Sequence, residues 1–213
     1  MRTITETYNV YNFSELSENA KKKVKQWFLE DDFRSCEFTN IYEDDLKYLF
    51  PNSELHLQYS LSYSQGDGLN IYGKLNLNDI FTAIRNKEYC GEQFKRFWNA
   101  LTQKEERTIE AYIEVCGAEI ELPYNRHYCY CVADNTEFAE EWIDTLEYNE
   151  YREIKTDTII KLERLVIDIF TYLSKEYERI GYKFFYDIDE EELEEACAAN
   201  SWEFLEDGTF YAA

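Results

Sequence analysis

The sequence predicts an α+β fold, with an antiparallel sheet of about five to six strands and helices packed on it. Residues 55–75 contain two runs in which apolar and polar side chains alternate, as in strands with one buried face. Residues 157–180 carry apolar side chains three and four positions apart, which is the spacing of one long buried helix. Because strands and helices come in groups rather than in strict alternation, a parallel doubly wound sheet is not expected.

The clearest local prediction is a β-hairpin over residues 55–75. Apolar side chains take every second position from Leu55 to Tyr63, and again from Leu69 to Leu75. The stretch between them, Ser64–Gly68, reads SQGDG. Glycines suit a tight reversal because they adopt positive φ without a steric penalty.

The N-terminal segment predicts a strand over residues 3–11 and then a helix. Ser17 is suited to cap a helix that begins at Glu18, and Ser14 is a rival cap one turn earlier. The polar face of this helix carries Lys21, Lys22, Lys23 and Lys25. A run of lysines can bind nucleic acid, but in so acidic a chain a solvated helix face is the favoured interpretation.

The middle of the chain predicts helices over 41–50, over 79–87 behind an Asn78 cap, and over 92–107. From Arg107 the apolar period returns to two, which predicts further strands over 107–115, 118–122 and 126–133. A helix is expected over 136–148.

The last part of the chain predicts the long helix ending at Gly181, a strand over 182–186 and an acidic helix capped by Asp189. A final strand pair turns at Asp207-Gly208. We expect one domain over 1–213, with a subdivision into a sheet-rich part, 1–133, and an acidic helical part, 134–213, as the alternative.

Charge is the main global feature of the sequence. The formal net charge is −22, and residues 134–213 hold 23 acidic but only 7 basic side chains. Such a chain repels nucleic acid and anionic membranes and attracts basic partners, although solubility alone also explains an acidic composition. We therefore expect no direct contact with nucleic acid or membrane.

The cellular compartment is predicted from what the sequence lacks. The first residues, MRTITETYNVYNF, contain no apolar signal segment, and no apolar run is long enough to cross a membrane. The six cysteines are accordingly interpreted as reduced thiols in a cytoplasm.

Three motifs together resemble a broad group of uncharacterised phage and prophage proteins. They are FSELSENAKKKVKQWF (13–28), YSLSYSQGDGLNIYG (59–73) and the tail from LSKEYERIGY to DEEELEEACAANSWEFLEDGTF (173–210). The resemblance spans nearly the whole chain in the same order. It implies a phage or mobile-element origin, a bacterial host cytoplasm and no established catalytic activity, and it suggests an anti-CRISPR or other anti-defence role.

The strongest candidate site is the acidic segment 187–195, DIDEEELEE, with seven carboxylates in nine residues. On a helix these side chains form a dense negative surface that imitates the closely spaced charges of DNA. The first hypothesis is therefore a non-enzymatic inhibitor of a basic, nucleic-acid-binding host factor such as a CRISPR effector. The predicted partner-binding residues are Asp187, Asp189, Glu190, Glu191, Glu192, Glu194 and Glu195, with Glu140, Glu141 and Asp144 as outliers of the same surface.

Two alternatives remain open. The loop residues Ser64, Gln65, Gly66, Asp67 and Gly68 are best interpreted as a hairpin turn packed by its own strands, but they can also form an anion-binding turn. The second hypothesis is therefore a protein that sequesters a small ligand or nucleotide signal through this loop. A third hypothesis is an accessory protein with an oligomeric role.

A metal site is the weaker interpretation of residues 127–131. If their strand is regular, His127, Cys129 and Cys131 lie on one face and supply three zinc ligands, but a fourth ligand and the usual C-x-x-C spacing are missing. Core packing is favoured, so no metal, cofactor or catalytic residue is predicted. The two histidines, His56 and His127, lie in no recognisable catalytic signature.

Overall fold

A computed structural model describes residues 2, 7–30, 33–85 and 92–212, and it groups the chain into two compact units. Unit 1 comprises residues 1–38 and 181–213, and unit 2 comprises residues 39–180. The division falls inside two helices, Phe33–Leu49 and Thr156–Tyr186. The helices among the described residues are α1 (Glu18–Leu29), α2 (Phe33–Leu49), α3 (Leu77–Arg85), α4 (Gln103–Cys116), α5 (Ala139–Tyr148), α6 (Thr156–Tyr186) and α7 (Glu190–Ala199).

The α+β class is confirmed, but the predicted sheet of five to six strands is wrong. The described residues form one three-stranded and one two-stranded antiparallel sheet. Short 3₁₀ helices lie at Phe13–Glu15, Glu92–Phe97 and Ala133–Asn135. The strands are β1 (Glu54–Ser60), β2 (Gly68–Asn76), β3 (Glu119–Leu122), β4 (Glu203–Phe204) and β5 (Phe210–Tyr211).

The hairpin is confirmed as β1 and β2, which form the three-stranded sheet of unit 2 with β3 in the order β1-β2-β3. Leu57 lies opposite Ile71, and Leu75 lies opposite Ile120. The first strand ends at Ser60, earlier than its alternating pattern, so seven residues connect the strands. This longer connection gives the loop room for its own hydrogen-bond network.

The long helix α6 is confirmed and supplies much of the core of unit 2. Its apolar stripe is fully buried from Ile159 to Tyr177, and the ring of Phe170 packs against Phe50 with centroids 5.2 Å apart. The helix continues through Gly181 to Tyr186, so the predicted stop at Gly181 and the strand over 182–186 are both wrong.

Unit 1 is built on an apolar cluster that joins both ends of the chain. The N-terminal segment, from the 3₁₀ helix Phe13–Glu15 through α1, contributes Phe13, Leu16, Ala20 and Val24. The C-terminal segments contribute Ile188, Leu193, Cys197 and Phe204. The ring of Trp27 stacks on Phe210 at 4.7 Å. Ser17 caps α1 through its side chain, as predicted.

Of the predicted first strand over 3–11, the described residues 7–11 form one bridge, at Tyr11, and residues 3–6 lie outside the described residues. Tyr11 exchanges two backbone hydrogen bonds with Phe204, with N–O distances of 2.8 and 2.9 Å. The predicted Asp207-Gly208 turn is confirmed between β4 and β5. Gly208 has φ +82°, and a Cβ there would lie 2.4 Å from the Ala20 carbonyl oxygen.

Two other predicted strands are wrong. Residues 107–115 belong to α4, because Thr102 and Glu105 form a capping box and Ile109 and Tyr112 bury one helical face. Residues 126–133 have no regular strand structure, and the 3₁₀ helix begins at Ala133. The 92–107 helix is likewise replaced by a 3₁₀ helix and the first turns of α4.

Candidate functional site

The acidic segment of unit 1 comprises the three residues before α7 and the first six residues of α7, and its carboxylates all face outward. We call its seven carboxylates the acidic face: Asp187, Asp189, Glu190, Glu191, Glu192, Glu194 and Glu195, all exposed. Ile188 and Leu193, which lie between them, and Cys197, two positions beyond Glu195, are buried in the apolar cluster. Burial of these three side chains orients α7 and fixes the carboxylates on its outer surface.

Two members of the acidic face also stabilise the helix. The Asp189 side chain accepts a hydrogen bond from the Glu192 N–H at 2.7 Å, which confirms the predicted cap of α7. Glu190 forms an ion pair with Lys21 that raises the pKa of the lysine. The remaining five carboxylates form no ion pair with any residue that the structure describes.

The lysines of α1 do more than form the solvated helix face that the sequence favours, although Lys22 and Lys23 are exposed. Lys23 contacts the Asp207 carboxylate and the Thr209 hydroxyl at 2.7 Å each, and Lys25 donates to the Ile188 carbonyl. With Lys21 on Glu190, three of the four lysines hold the C-terminal segments to α1. Sequence reasoning missed this role because each partner lies more than 160 residues away.

The acidic residues predicted as outliers of the same surface lie in the other unit. Glu140, Glu141 and Asp144 are exposed on α5, which belongs to unit 2. Each group is therefore an acidic surface of its own unit. The carboxylate density is higher on the α7 segment, where seven of nine residues are acidic.

The thiol nearest the acidic face is not poised as a nucleophile. Cys197 is buried on the inner side of α7, where burial and then the nearby Glu194 charge raise its pKa to about 11. A thiol of this kind stays protonated at neutral pH and reacts slowly. The geometry around the acidic face therefore supplies binding surface rather than covalent chemistry.

The second candidate site, the loop that connects β1 and β2, is organised around its own carboxylate. Asp67 accepts hydrogen bonds from the Ser60 and Ser64 hydroxyls at 2.6 and 2.8 Å, and from the Ser62 and Ser64 N–H groups at 2.6 and 2.7 Å. These hydrogen bonds hold the pKa of Asp67 far below its usual range, and the bond from the Ser60 hydroxyl has the largest effect. Because the Asp67 carboxylate accepts from these donors, they are not available to an anionic ligand. Ligand binding by Ser64, Gln65, Gly66, Asp67 and Gly68 stays a prediction.

The two glycines of this loop allow residues 128–130 to approach it closely. A Cβ on Gly66 would lie 2.1 Å from a ring carbon of Tyr128, and one on Gly68 would lie 2.8 Å from the Tyr130 Cα. The Cys129 N–H donates to the Gly66 carbonyl at 3.0 Å. The glycines of the SQGDG motif thus have a packing role that the sequence did not indicate.

Amides hold residues 123–132 against the sheet in place of a strand ladder. The buried Asn70 donates to the Pro123 carbonyl and accepts from the Val132 N–H, at 2.9 and 3.0 Å. Gln58 donates to the Asn125 carbonyl at 2.7 Å. An asparagine inside an alternating strand indicates a side chain that bonds to backbone groups, but the sequence does not identify which segment supplies those groups.

The predicted metal ligands lie on this irregular segment, so the one-face argument for a strand does not apply to them. The backbone N–H of His127 donates to the Asn125 side chain, while that of Cys129 bonds to Gly66. In the described part of the chain, no three His, Cys, Asp or Glu side chains are placed to hold a metal ion. His127, Cys129 and Cys131 are therefore not supported as a zinc site.

Comparison with known proteins gives no assignment for this geometry. No protein-family model, curated protein or solved structure matches the chain. Separately, none of the helices in the described ranges combines the length and apolar character needed to cross a bilayer.

Proposed function

We propose that this protein is a non-enzymatic inhibitor that binds a basic, nucleic-acid-binding protein through the acidic face of α7. The observation that carries this proposal is the exposure of all seven carboxylates on one short segment, where Glu190 alone forms an ion pair with a residue that the structure describes. Unpaired carboxylates this close together repel one another, and a basic partner relieves that repulsion.

The mechanism is steric and electrostatic competition. Consecutive residues of α7 rise by about 1.5 Å along the helix axis, and duplex DNA carries about one charge per 1.7 Å. A basic groove that binds phosphates therefore meets a similar linear charge density on α7. Because Asp189 caps the helix and the apolar cluster anchors it, the backbone that carries the carboxylates is held in place before binding.

The partner to test first follows from the motif resemblance. That resemblance implies a phage or mobile-element protein in a bacterial cytoplasm, where nucleic-acid-binding defence complexes are abundant targets. We therefore propose a host defence nuclease, such as a CRISPR effector, as the partner class. The proposal assigns no cofactor and no direct nucleic-acid contact to this chain.

Affinity capture from nuclease-treated bacterial lysate tests the proposal. The tagged protein is expected to retain a nucleic-acid-processing protein whose binding to DNA or RNA is lost in the captured complex. The variant E191Q/E192Q/E194Q/E195Q removes four charges but keeps the Asp189 cap and the Glu190–Lys21 pair. We expect this variant to lose most of the captured partner, at least tenfold by quantitative mass spectrometry.

The matched control removes four charges elsewhere. Asp44, Glu114, Glu137 and Glu147 are exposed in unit 2 and form no ion pair with described residues. The variant D44N/E114Q/E137Q/E147Q is expected to capture the partner as the parent chain does. Equal loss in both variants would show that net charge, rather than the acidic face, drives binding.

A further inference from the structure

A cleft in unit 2 reverses the charge of the rest of the molecule. It has a volume of about 850 Å³ and lies between the first turns of α4 and residues 149–155, which connect α5 to α6. Its charged lining consists of Lys104, Arg107, Arg152 and Lys155 against Glu150 and Glu153. The cleft has two cations for each carboxylate, whereas the whole chain has two acidic residues for each basic one, 44 against 22.

Three of these cations form no ion pair within the part of the chain that the structure describes. Lys104, Arg107 and Arg152 form no ion pair with any residue that the structure describes, whereas Lys155 contacts the Glu153 carboxylate at 3.3 Å. Some cations elsewhere in unit 2 are paired, as Arg85 is with Glu106 and Lys161 with Glu105, whereas Lys47 and Arg126 form no ion pair with a described residue. Unpaired cations grouped in a concave site are suited to a ligand of opposite charge.

The floor of the cleft is tied in place by a buried tyrosine. The Tyr112 hydroxyl accepts from the Lys155 N–H at 2.8 Å and donates to the Glu153 carbonyl at 3.2 Å. The half-buried ring of Tyr151 meets Tyr112 edge-on, with centroids 5.3 Å apart. The cleft thus offers a fixed aromatic wall beside its cations.

We propose that this cleft binds a small phosphate-bearing anion. Two carboxylates in the lining leave an excess of two positive charges, which matches a phosphate monoester or diphosphate better than a singly charged carboxylate. Arginine guanidinium groups form paired hydrogen bonds with phosphate oxygens, and Arg107 and Arg152 supply two such groups. A volume of this size also fits a nucleotide, whose base can rest against Tyr151. This inference does not depend on the acidic face of α7.

Calorimetric titration of the full chain with inorganic phosphate, pyrophosphate and ADP tests the proposal. Saturable binding of at least one of these probes is expected, weakened tenfold or more in R107Q/R152Q. Tighter binding of ADP than of pyrophosphate would identify a nucleotide as the source of the phosphate, and equal binding would identify the phosphate group alone.

The control variant R126Q/R164Q makes the same charge change at two exposed arginines of unit 2 outside the cleft. It is expected to bind as the parent chain does. K104Q, a milder change within the cleft, is expected to weaken binding at least threefold while the circular dichroism spectrum stays unchanged. The proposal is overturned if no probe binds saturably, or if R107Q/R152Q and K104Q bind like the control.

Discussion

Single polar side chains hold the irregular parts of this protein in place. Asp67 gathers the loop between β1 and β2, and the buried Asn70 clamps residues 123–132. Asp79, also buried, accepts from the Asn52 N–H and the Ser53 hydroxyl at 2.9 and 2.7 Å. Each of these bonds gives a hydrogen-bond partner to a backbone or hydroxyl group that no strand ladder pairs.

Gly73 is the residue at which a single added carbon is expected to be most harmful. It lies in β2 with φ +118°, and a Cβ there would lie 2.2 Å from the Glu54 carbonyl oxygen. Because that neighbour is backbone of the paired strand, it cannot swing away. We expect Gly73→Ala to lower the free energy of unfolding by about 2–4 kcal/mol, measured by urea denaturation.

Gly117→Ala separates the two contributions to this cost. Gly117 also has positive φ, +92°, but a Cβ there would meet no atom within 4 Å. Its replacement is expected to cost about 1 kcal/mol from backbone strain alone. Similar costs for the two variants would mean that the close approach of β1 does not matter.

At the level of elements, the sequence predicts those whose signals are local. The β1–β2 hairpin, the Ser17 and Asp189 caps, the long helix and the Asp207-Gly208 turn are all confirmed. Each depends on neighbouring residues, such as an alternating run or a capping oxygen. Contacts that decide these elements lie within a few positions of one another in the sequence.

The wrong predictions have two causes, one local and one at long range. Residues 107–115 satisfy both an alternating and a helical pattern, and the Thr102–Glu105 capping box decides for the helix. Residues 182–186 look like a strand, yet Phe184 and Phe185 pack on Phe38 as part of α6. Phe38 lies about 145 residues away from these two rings, so its contribution cannot be predicted from the local pattern. Tertiary packing therefore decides for a helix where the local pattern predicts a strand.

Helix α4 is expected to lose its N-terminal stabilisation in acid. Hydrogen bonds from Lys161 and then from the Thr102 N–H lower the pKa of Glu105 to about 2. Because the folded pKa is depressed, this contribution is present above the unfolded value of about 4.5 and is lost as the pH falls toward 2. Glu105 is half-buried and its partner Lys161 is exposed, so solvent screening limits the contribution to roughly a few tenths of a kcal/mol.

Glu105→Gln is the variant that measures this contribution. The difference in unfolding free energy between the parent and the variant should shrink as the pH falls from 6 to 2. Urea denaturation at several pH values gives the comparison, with Glu114→Gln on the exposed face of the same helix as control. A difference that stays constant with pH would contradict the assigned pKa.

For the whole molecule, charge distribution connects the structure to the proposed function. The carboxylates exceed the cations twofold, yet they are not uniformly spread. Unit 1 presents the acidic face of α7, whereas unit 2 contains a cleft whose cations outnumber its carboxylates. The sequence alone predicts the first feature because its charges are consecutive. It does not predict the second, because residues 104–107 and 152–155 meet only in the fold.

The most direct test of the central claim is the salt dependence of binding to the captured partner. The dissociation constant is measured from 50 to 500 mM NaCl for the parent chain and for E191Q/E192Q/E194Q/E195Q. Binding through the acidic face predicts that affinity of the parent falls steeply as salt rises, and that the variant has a markedly shallower slope. A flat salt response of the parent chain would contradict the claim. Binding would then depend on aromatic anchors such as the exposed Tyr148.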